Sequence, residues 1–448
     1  MSAPELKTAE QRRAEGRALR RQVPRASHGT WEPAPDRADP IATLEASNRN
    51  RLPDLVPVRY GRMLSSPFAF LRGSPMIMAD DLAGTPATGL RVQACGDAHL
   101  ANFGVFATPE RNLFFDVNDF DETLPAPWEW DVKRLAASIV VAARNLDLDE
   151  ASCRQATQDA ISAYRERMLE LAQLPPLEIW YDRIDANQVV AIARERDAVE
   201  LKRALRKVRH RTSLTALPKY TQVVDGTRRI IDDPPLIVHE ARDAGEPERM
   251  LAAYSASLPP DRRPLLERYR IVDSARKVVG VGSVGTRCYL ALLMDADLSS
   301  PLFLQVKEAL DPVLAPYVGP SEYTNQGQRV IVGQRLMQAA SDIFLGWTTD
   351  GDHHYYVRQF RDMKGSVNLD AIRVNSFASY AAICGRTLAR AHAKTGDTVM
   401  IAGYLGRGTQ FDTAIATFGV RYADQTRRDH SELAAAVDAG RITATVGT

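Results

Sequence analysis

The stretch CGDAHLANFG, Cys95–Gly104, decides how this chain is read. Asp97 and Asn102 stand five positions apart, with His99 between them. In a phosphotransferase catalytic loop an aspartate accepts the proton of the attacking hydroxyl, and an asparagine five residues on ligates magnesium. That spacing lets one loop present both groups to the same γ-phosphate. A polar β-turn with an Asx cap accounts for Gly96-Asp97 taken alone, and metal-dependent hydrolases also use G-D-x-H. The motif therefore needs support from the rest of the chain.

Nineteen to 24 residues after Asp97, FFDVNDFDET (Phe114–Thr123) brings Asp116, Asp119 and Asp121 to the end of an apolar strand. Magnesium takes hard oxygen ligands, usually one or two carboxylates together with phosphate oxygens. An aspartate at a strand end supplies one such ligand. Asp119-Phe120-Asp121 resembles the D-F-G element of kinases with its glycine replaced; a solvated acidic turn is the competing reading. Asp131, in WEWDVKRLAAS (Trp128–Ser138), starts a helix. It either caps that helix or braces the catalytic loop, as an aspartate does at this place in kinase-like folds. Far downstream, YAAICGRTLARAHAK (Tyr380–Lys394) is helical, and its Leu-Ala-Arg-Ala-His resembles the helix before the catalytic loop of aminoglycoside phosphotransferases. His392 is read there as structural.

VVGVGSVGTRCYLALL (Val278–Leu293) holds Gly280, Gly282 and Gly285 in the spacing G-x-G-x-x-G, with Ser283 among them. Amides unhindered by side chains let phosphate oxygens approach closely. A dinucleotide-binding turn has the same spacing, but it needs a helix directly afterwards and an acidic residue about 20 positions on. Here a strand-like run follows, and then LFLQVKEA (Leu302–Ala309), which carries Lys307. Strand, glycine loop, strand, strand with lysine is the order of a kinase nucleotide lobe, where the lysine pairs the α- and β-phosphates. The usual glutamate partner on the next helix is missing. Glu308 and Glu322 are poorly placed, and the helix near Val330–Gln338 offers only Gln334.

The bulk properties are those of a globular protein. The 448 residues suggest two or three units. A net charge of +1 gives no general attraction to nucleic acid or to anionic membrane. The basic run KRALRKVRHRTS (Lys202–Ser213) is read as a solvated helix face, with a phosphate contact as the rival. Arg72, in SPFAFLRG, is a candidate anion contact. Cys95, Cys153, Cys288 and Cys384 are far apart and form no C-x-x-C, which fits reduced thiols in a cytoplasmic protein. Residues 1–25 lack the apolar core of a signal peptide, and no apolar run approaches the roughly 18 residues of a membrane span. Residues 1–40 read as a polar arm, mobile or carrying a peripheral helix. Periodicity predicts helices within 41–75, over 130–145, 150–172, 191–211 and 325–340, and from 372 onward. Strands are predicted within 90–121, 266–310 and 355–360. A β-rich stretch inside a helical body implies two lobes and a cleft, and clefts hold ligands.

From about residue 40 the segments SPFAFLRG, CGDAHLANFG, DVNDFDETLPAPWEWDVKRLAAS, VGSVGTRC, LFLQVKEA, QRLMQAASDIFLGW, YYVRQFRDMKG and LARAHA resemble the bacterial family catalogued as domain of unknown function 2252. More distantly the chain resembles aminoglycoside phosphotransferases and other kinase-like enzymes. That resemblance implies an α+β, two-lobed protein-kinase-like fold, with a mainly helical lobe and a smaller antiparallel β-rich nucleotide lobe. It implies Asp97 as the base with His99 beside it, and Asn102, Asp119 and Asp121 on magnesium. It implies Gly280, Gly282, Ser283, Gly285 and Lys307 on ATP. The order of parts departs from ordinary kinases, because the glycine loop and lysine follow the catalytic loop by about 180 residues. A circular permutation accounts for this. It divides the chain into an arm (1–40), a catalytic lobe (41–265), a nucleotide lobe with its hinge at Arg358–Gly365 (266–366), and the rest of the catalytic lobe (367–448). The expected function is ATP- and magnesium-dependent phosphotransfer to a small-molecule hydroxyl, with the acceptor pocket drawn from residues 41–75 and 150–260. The rivals are a nucleotide-binding pseudokinase or regulatory module, motivated by the lysine without a partner, and a metal-dependent phosphoesterase using Asp97, His99 and Asp119. Neither a nucleic-acid nor a membrane partner is expected.

Overall fold

A computed structural model, which describes residues 6–192, 195–240 and 245–447, turns these patterns into a helical body and a large antiparallel sheet, an α+β architecture. The sheet has six strands in the spatial order Gly346–Asp350, His353–Gln359, Pro301–Glu308, Cys288–Met294, Arg270–Lys277 and Ile237–Val238. The run LFLQV shows no polar alternation because both faces of its strand are covered. Leu302, Leu304 and Val306 pack with Tyr254 and Leu258 from the region of helix Glu246–Ser257. Phe303 packs on the other face with Ala216, Ile230 and Tyr220. Period-two alternation carries Lys307 to that second face, where the register sets it between Cys288 and Tyr356.

Predicted and observed elements differ mainly in the β regions. Within 266–310 one long strand runs over Arg270–Lys277, before the glycine loop. Gly346–Asp350 and the hairpin Thr221–Val224/Thr227–Ile230 carry no strong local signal and are held by their neighbours. The body gathers the helices Trp128–Asn145, Glu150–Leu171, Val374–Ala393 and Gln410–Asp438 around one core that includes Trp128, Leu135, Tyr164, Leu388 and Phe418. Trp128–Asn145 is buried along almost its whole length, which explains why its run LAASIVVAA is apolar on every face.

Residues 8–29 are docked, so the mobile-arm alternative fails and the peripheral helix holds. Helix Ala9–Ala18 opens with a capping box of Thr8 and Gln11. Arg20 then donates to the carbonyls of Gly403 and Tyr404 at 2.5 and 2.8 Å. Buried His28 bonds the Tyr404 hydroxyl at 2.7 Å. In the basic run, Lys202, Arg203, Arg206, Lys207 and Arg209 face solvent. Arg211 instead donates to the Lys364 carbonyl at 2.9 Å. Among the described residues no helix is long and apolar enough to cross a membrane.

The two motif regions are joined by the segment expected as a hinge. After His353–Gln359 the chain leaves the large sheet, and Gly365–Ser366 pairs with Phe103–Ala107, directly after the Cys95–Asn102 loop.

Candidate functional site

The strand Arg91–Ala94 ends at Cys95, and the chain turns at Gly96 with φ +82°. A Cβ there would lie 2.1 Å from the Glu122 carbonyl oxygen, so backbone angle and space both require glycine. Asp131 accepts hydrogen bonds from the amides of Cys95 and Gly96 at 2.6 and 2.9 Å. Its carboxylate also meets His392 Nε2 at 3.1 Å, and His392 Nδ1 meets the Tyr164 hydroxyl at 2.9 Å. The helix begins after Pro127, so Asp131 braces the loop from inside the first turn and does not cap the helix. His392 is the structural group its setting predicted, fully buried.

Asp97 is fixed by the same helix. Arg134 Nε and Nη2 reach its Oδ1 at 2.8 and 2.7 Å, and Nη2 also donates to the Leu71 carbonyl at 2.6 Å. His99 Nε2 lies 3.6 Å from Asp97 Oδ2. Burial drives the His99 pKa down to about 3, so the ring is neutral. Asn102 Nδ2 donates to the carbonyls of Asp97 and Asp119, both at 3.1 Å, which ties the two acidic motifs together.

The three aspartates of the second motif have separate roles. Asp116 is buried, and Arg390 Nη2 reaches both its oxygens at 2.7 Å. Asp119 keeps 42% of its side chain exposed, and its carboxylate accepts only a 3.4 Å bond from the Asp121 amide. Asp121 is fully engaged. Its Oδ2 takes Lys307 Nζ and, at 3.3 Å, Ser283 Oγ, and its Oδ1 takes the Tyr356 hydroxyl at 2.7 Å. Lys307 also stands 3.7 Å from Asp119. The lysine thus has a carboxylate partner, supplied by the acidic motif and not by the helix Gln326–Met337. That helix sends Arg329 to the carbonyls of Asp121 and Thr123, both at 2.8 Å. Glu308 turns away to Arg287 and His353, at 3.1 and 3.0 Å. Burial would raise the Asp121 pKa, but Lys307 outweighs it and holds the carboxyl at about 2.

The glycine loop Gly280–Gly285 lies over these groups and is held from outside by the segment 46–76. Arg51 donates to the Val284 carbonyl at 2.5 Å and the Leu52 amide to the Gly285 carbonyl at 2.8 Å. Arg62 reaches the Gly280 carbonyl. Among the described residues the amides of Gly282 and Ser283 make no hydrogen bond. Beneath the loop is a cleft of about 350 Å³. Asp97, His99, Asn102, Asp119 and Asp121 line it from below, and Gly280, Gly282 and Ser283 line it from above. Gly285 lies outside this lining, against the Arg51 side chain, and Lys307 reaches it through Asp121. Of the two segments expected to form an acceptor pocket, the first lines the cleft; in the second, Glu150–Leu171 packs in the helical body, and Ala216, Ile230 and Tyr254 pack on the large sheet.

Four lining or supporting residues went unassigned in the sequence. Arg134 follows Asp131 by three positions on one helix face, which was a usable signal. Glu122 continues the acidic run. It accepts the Val313 amide at 2.7 Å, and burial raises its pKa to about 7. Arg51 and Tyr356 had no local signal. Among the described residues no three His, Cys, Asp or Glu side chains are placed to hold a metal ion by themselves.

Residues 51–436 match the family described as uncharacterized protein conserved in bacteria, DUF2252, and the chain belongs to that family. No curated protein and no solved structure matches it.

Proposed function

We propose that this member of the DUF2252 family is an ATP- and magnesium-dependent phosphotransferase with a circularly permuted kinase-like fold, acting on a hydroxyl of a small molecule. One observation carries the reading. Lys307 pairs with Asp121 across 186 residues of sequence, under the glycine loop and beside the Asp97–Asn102 loop. The cleft then holds free amides for phosphate oxygens, an open carboxylate for a metal and a separately held carboxylate for a proton, with the Lys307 cation at its edge behind Asp121.

In this mechanism Lys307 and the amides of Gly282 and Ser283 bind the phosphates. Asp119 and the Asn102 side-chain oxygen would hold magnesium, which neutralises charge on the β- and γ-phosphate oxygens. The exposed carboxylate of Asp119 fits that task. Asp121, with both oxygens engaged, fits the role of lysine partner better than the ligand role expected for it. Asp97, oriented by Arg134, accepts the proton of the acceptor hydroxyl. The acceptor oxygen forms its bond to the γ-phosphorus as the β–γ bridging bond breaks, leaving ADP. The pseudokinase alternative was motivated by a lysine without a partner, and Asp121 removes that motive.

Titration calorimetry with ATP and magnesium tests the reading. The intact protein is expected to bind, and Lys307→Ala and Asp119→Asn are each expected to weaken binding by about 10- to 100-fold, the worth of a charge-assisted contact. No binding by the intact protein would sink it.

A further inference from the structure

Arg72 differs from the other arginines buried around the cleft. Arg59 donates to Ser47 Oγ and the Gly73 carbonyl at 2.9 and 2.8 Å. Arg134 holds Asp97 and the Leu71 carbonyl. Arg329 makes four hydrogen bonds, at 2.6 to 2.9 Å. Arg390 is held by Asp116 and the Met337 carbonyl. The Arg72 side chain has neither a hydrogen bond nor an ion pair among the described residues, and its Nε is shut off from solvent. The Phe68 ring lies 5.9 Å from its guanidinium carbon. Arg72 is half-buried, and a cation drawn out of water without a partner is costly, since satisfied buried charges are the rule.

Its position gives the exception a purpose. Arg72 lines the cleft together with Asp97, His99 and Asp119. Its own backbone carbonyl lies against the glycine loop, 3.1 Å from where a Cβ on Gly282 would be. The side chain therefore enters the cleft beside the loop that would cover phosphates, in the same lining as the carboxylate that would take the proton. Asp97 does not need it, because Arg134 already orients that group. Burial lowers the Arg72 pKa, and Asp97, Asp370 and Asp119 oppose the shift.

We infer that Arg72 contacts the transferred γ-phosphoryl group and stabilises the charge that develops on it during transfer. The inference rests on the phosphotransferase reading and adds to it a catalytic residue from the segment 46–76. An arginine supplied in cis performs this task in other phosphoryl-transfer enzymes. Its fork of donors suits the planar phosphoryl group.

The experiment is calorimetry on the full chain with ADP and magnesium, with and without aluminium fluoride, which mimics the phosphoryl group in flight. The intact protein is expected to bind ADP more tightly when fluoride is present. Arg72→Gln is expected to keep the ADP affinity within about twofold and to lose roughly tenfold or more of the fluoride-dependent tightening. Arg72→Lys should recover part of it, as a point charge without the fork. Because the side chain has no internal partner, neither variant should melt below the intact protein. Full tightening in Arg72→Gln overturns the inference while leaving the nucleotide site standing, as does an intact protein that binds ADP but ignores fluoride. A lowered melting temperature in Arg72→Gln also overturns it, by assigning the arginine a structural role. Failure of the intact protein to bind ADP at all overturns the phosphotransferase reading and this inference together.

Discussion

The floor and the roof of the cleft are held by different kinds of bond. The floor, Cys95–Asn102, is clamped by Asp131, Arg134 and His392, which are buried in the helical body. The roof, Gly280–Gly285, is held mainly through its carbonyls, by Arg51, Arg62 and the Leu52 amide, with Ser283 as its one side-chain tie to the floor. Breaking a buried charged contact leaves an uncompensated charge in a low-dielectric core. An exposed carbonyl contact such as that of Arg62 with Gly280 can be exchanged for water at small net cost. The floor is thus the more rigidly held wall, and the roof is the wall that costs less to lift.

That contrast makes an ordered set of expectations. Asp131→Ala should have the largest effect, a loss of about 3–5 kcal/mol in urea denaturation, since it strands two loop amides and His392. An unchanged denaturation midpoint would mean the floor is not braced as described. Asp121→Asn comes next, at about 1–3 kcal/mol, because Lys307 keeps Asp119 nearby but loses its closest charge. Thermal denaturation of the purified variant measures it, and a variant as stable as the intact protein would show that the lysine is not the buried link between the walls.

The third expectation concerns pH. Glu122 has its pKa raised by burial from 4.5 to about 7. Between those values the folded protein binds a proton that the unfolded chain releases, so this group's contribution to stability falls as pH rises through the window. Glu122→Gln should therefore gain melting temperature relative to the intact protein between about pH 4.5 and 7. A difference independent of pH would place an ionised carboxylate at the floor. The smallest effect belongs to the roof: Arg51→Ala should cost about 1 kcal/mol or less. It should nevertheless speed amide exchange in Gly280–Gly285 while leaving exchange in Cys95–Asn102 unchanged. Equal acceleration in both loops would erase the distinction.

Much of the site was legible because each piece is local. Asp97, His99 and Asn102 share one turn, and Gly280, Gly282 and Ser283 share another. Asp119 and Asp121 were marked together as metal ligands, and the geometry separates them: Asp119 stays open, while Asp121 is taken up by Lys307, Ser283 and Tyr356. Asp121 stands where the kinase element has glycine, and that substitution reads locally as a defect. In the folded chain it is the missing partner of Lys307. The search for a glutamate on the following helix failed because the pairing carboxylate lies 186 residues away, on the other wall. The docked N-terminus has a similar history. Its helix was foreseeable from Thr8 and Gln11, but its anchoring to Gly403, Tyr404 and Leu405 was not.

By itself, the sequence determined what periodicity and short spacing control: the helical body, the strand bearing Lys307, the two loops and the family. Hydrophobic period and turn chemistry act over a few residues, so they can be read along the chain. Only the tertiary structure decided which charge answers which. It paired Lys307 with Asp121, gave Asp97 to Arg134, turned Asp131 into a brace and left Arg72 without a partner. Ion pairs are set by distance in space and by exclusion of water, and a chain folded back on itself brings together charges whose separation in sequence carries no such information.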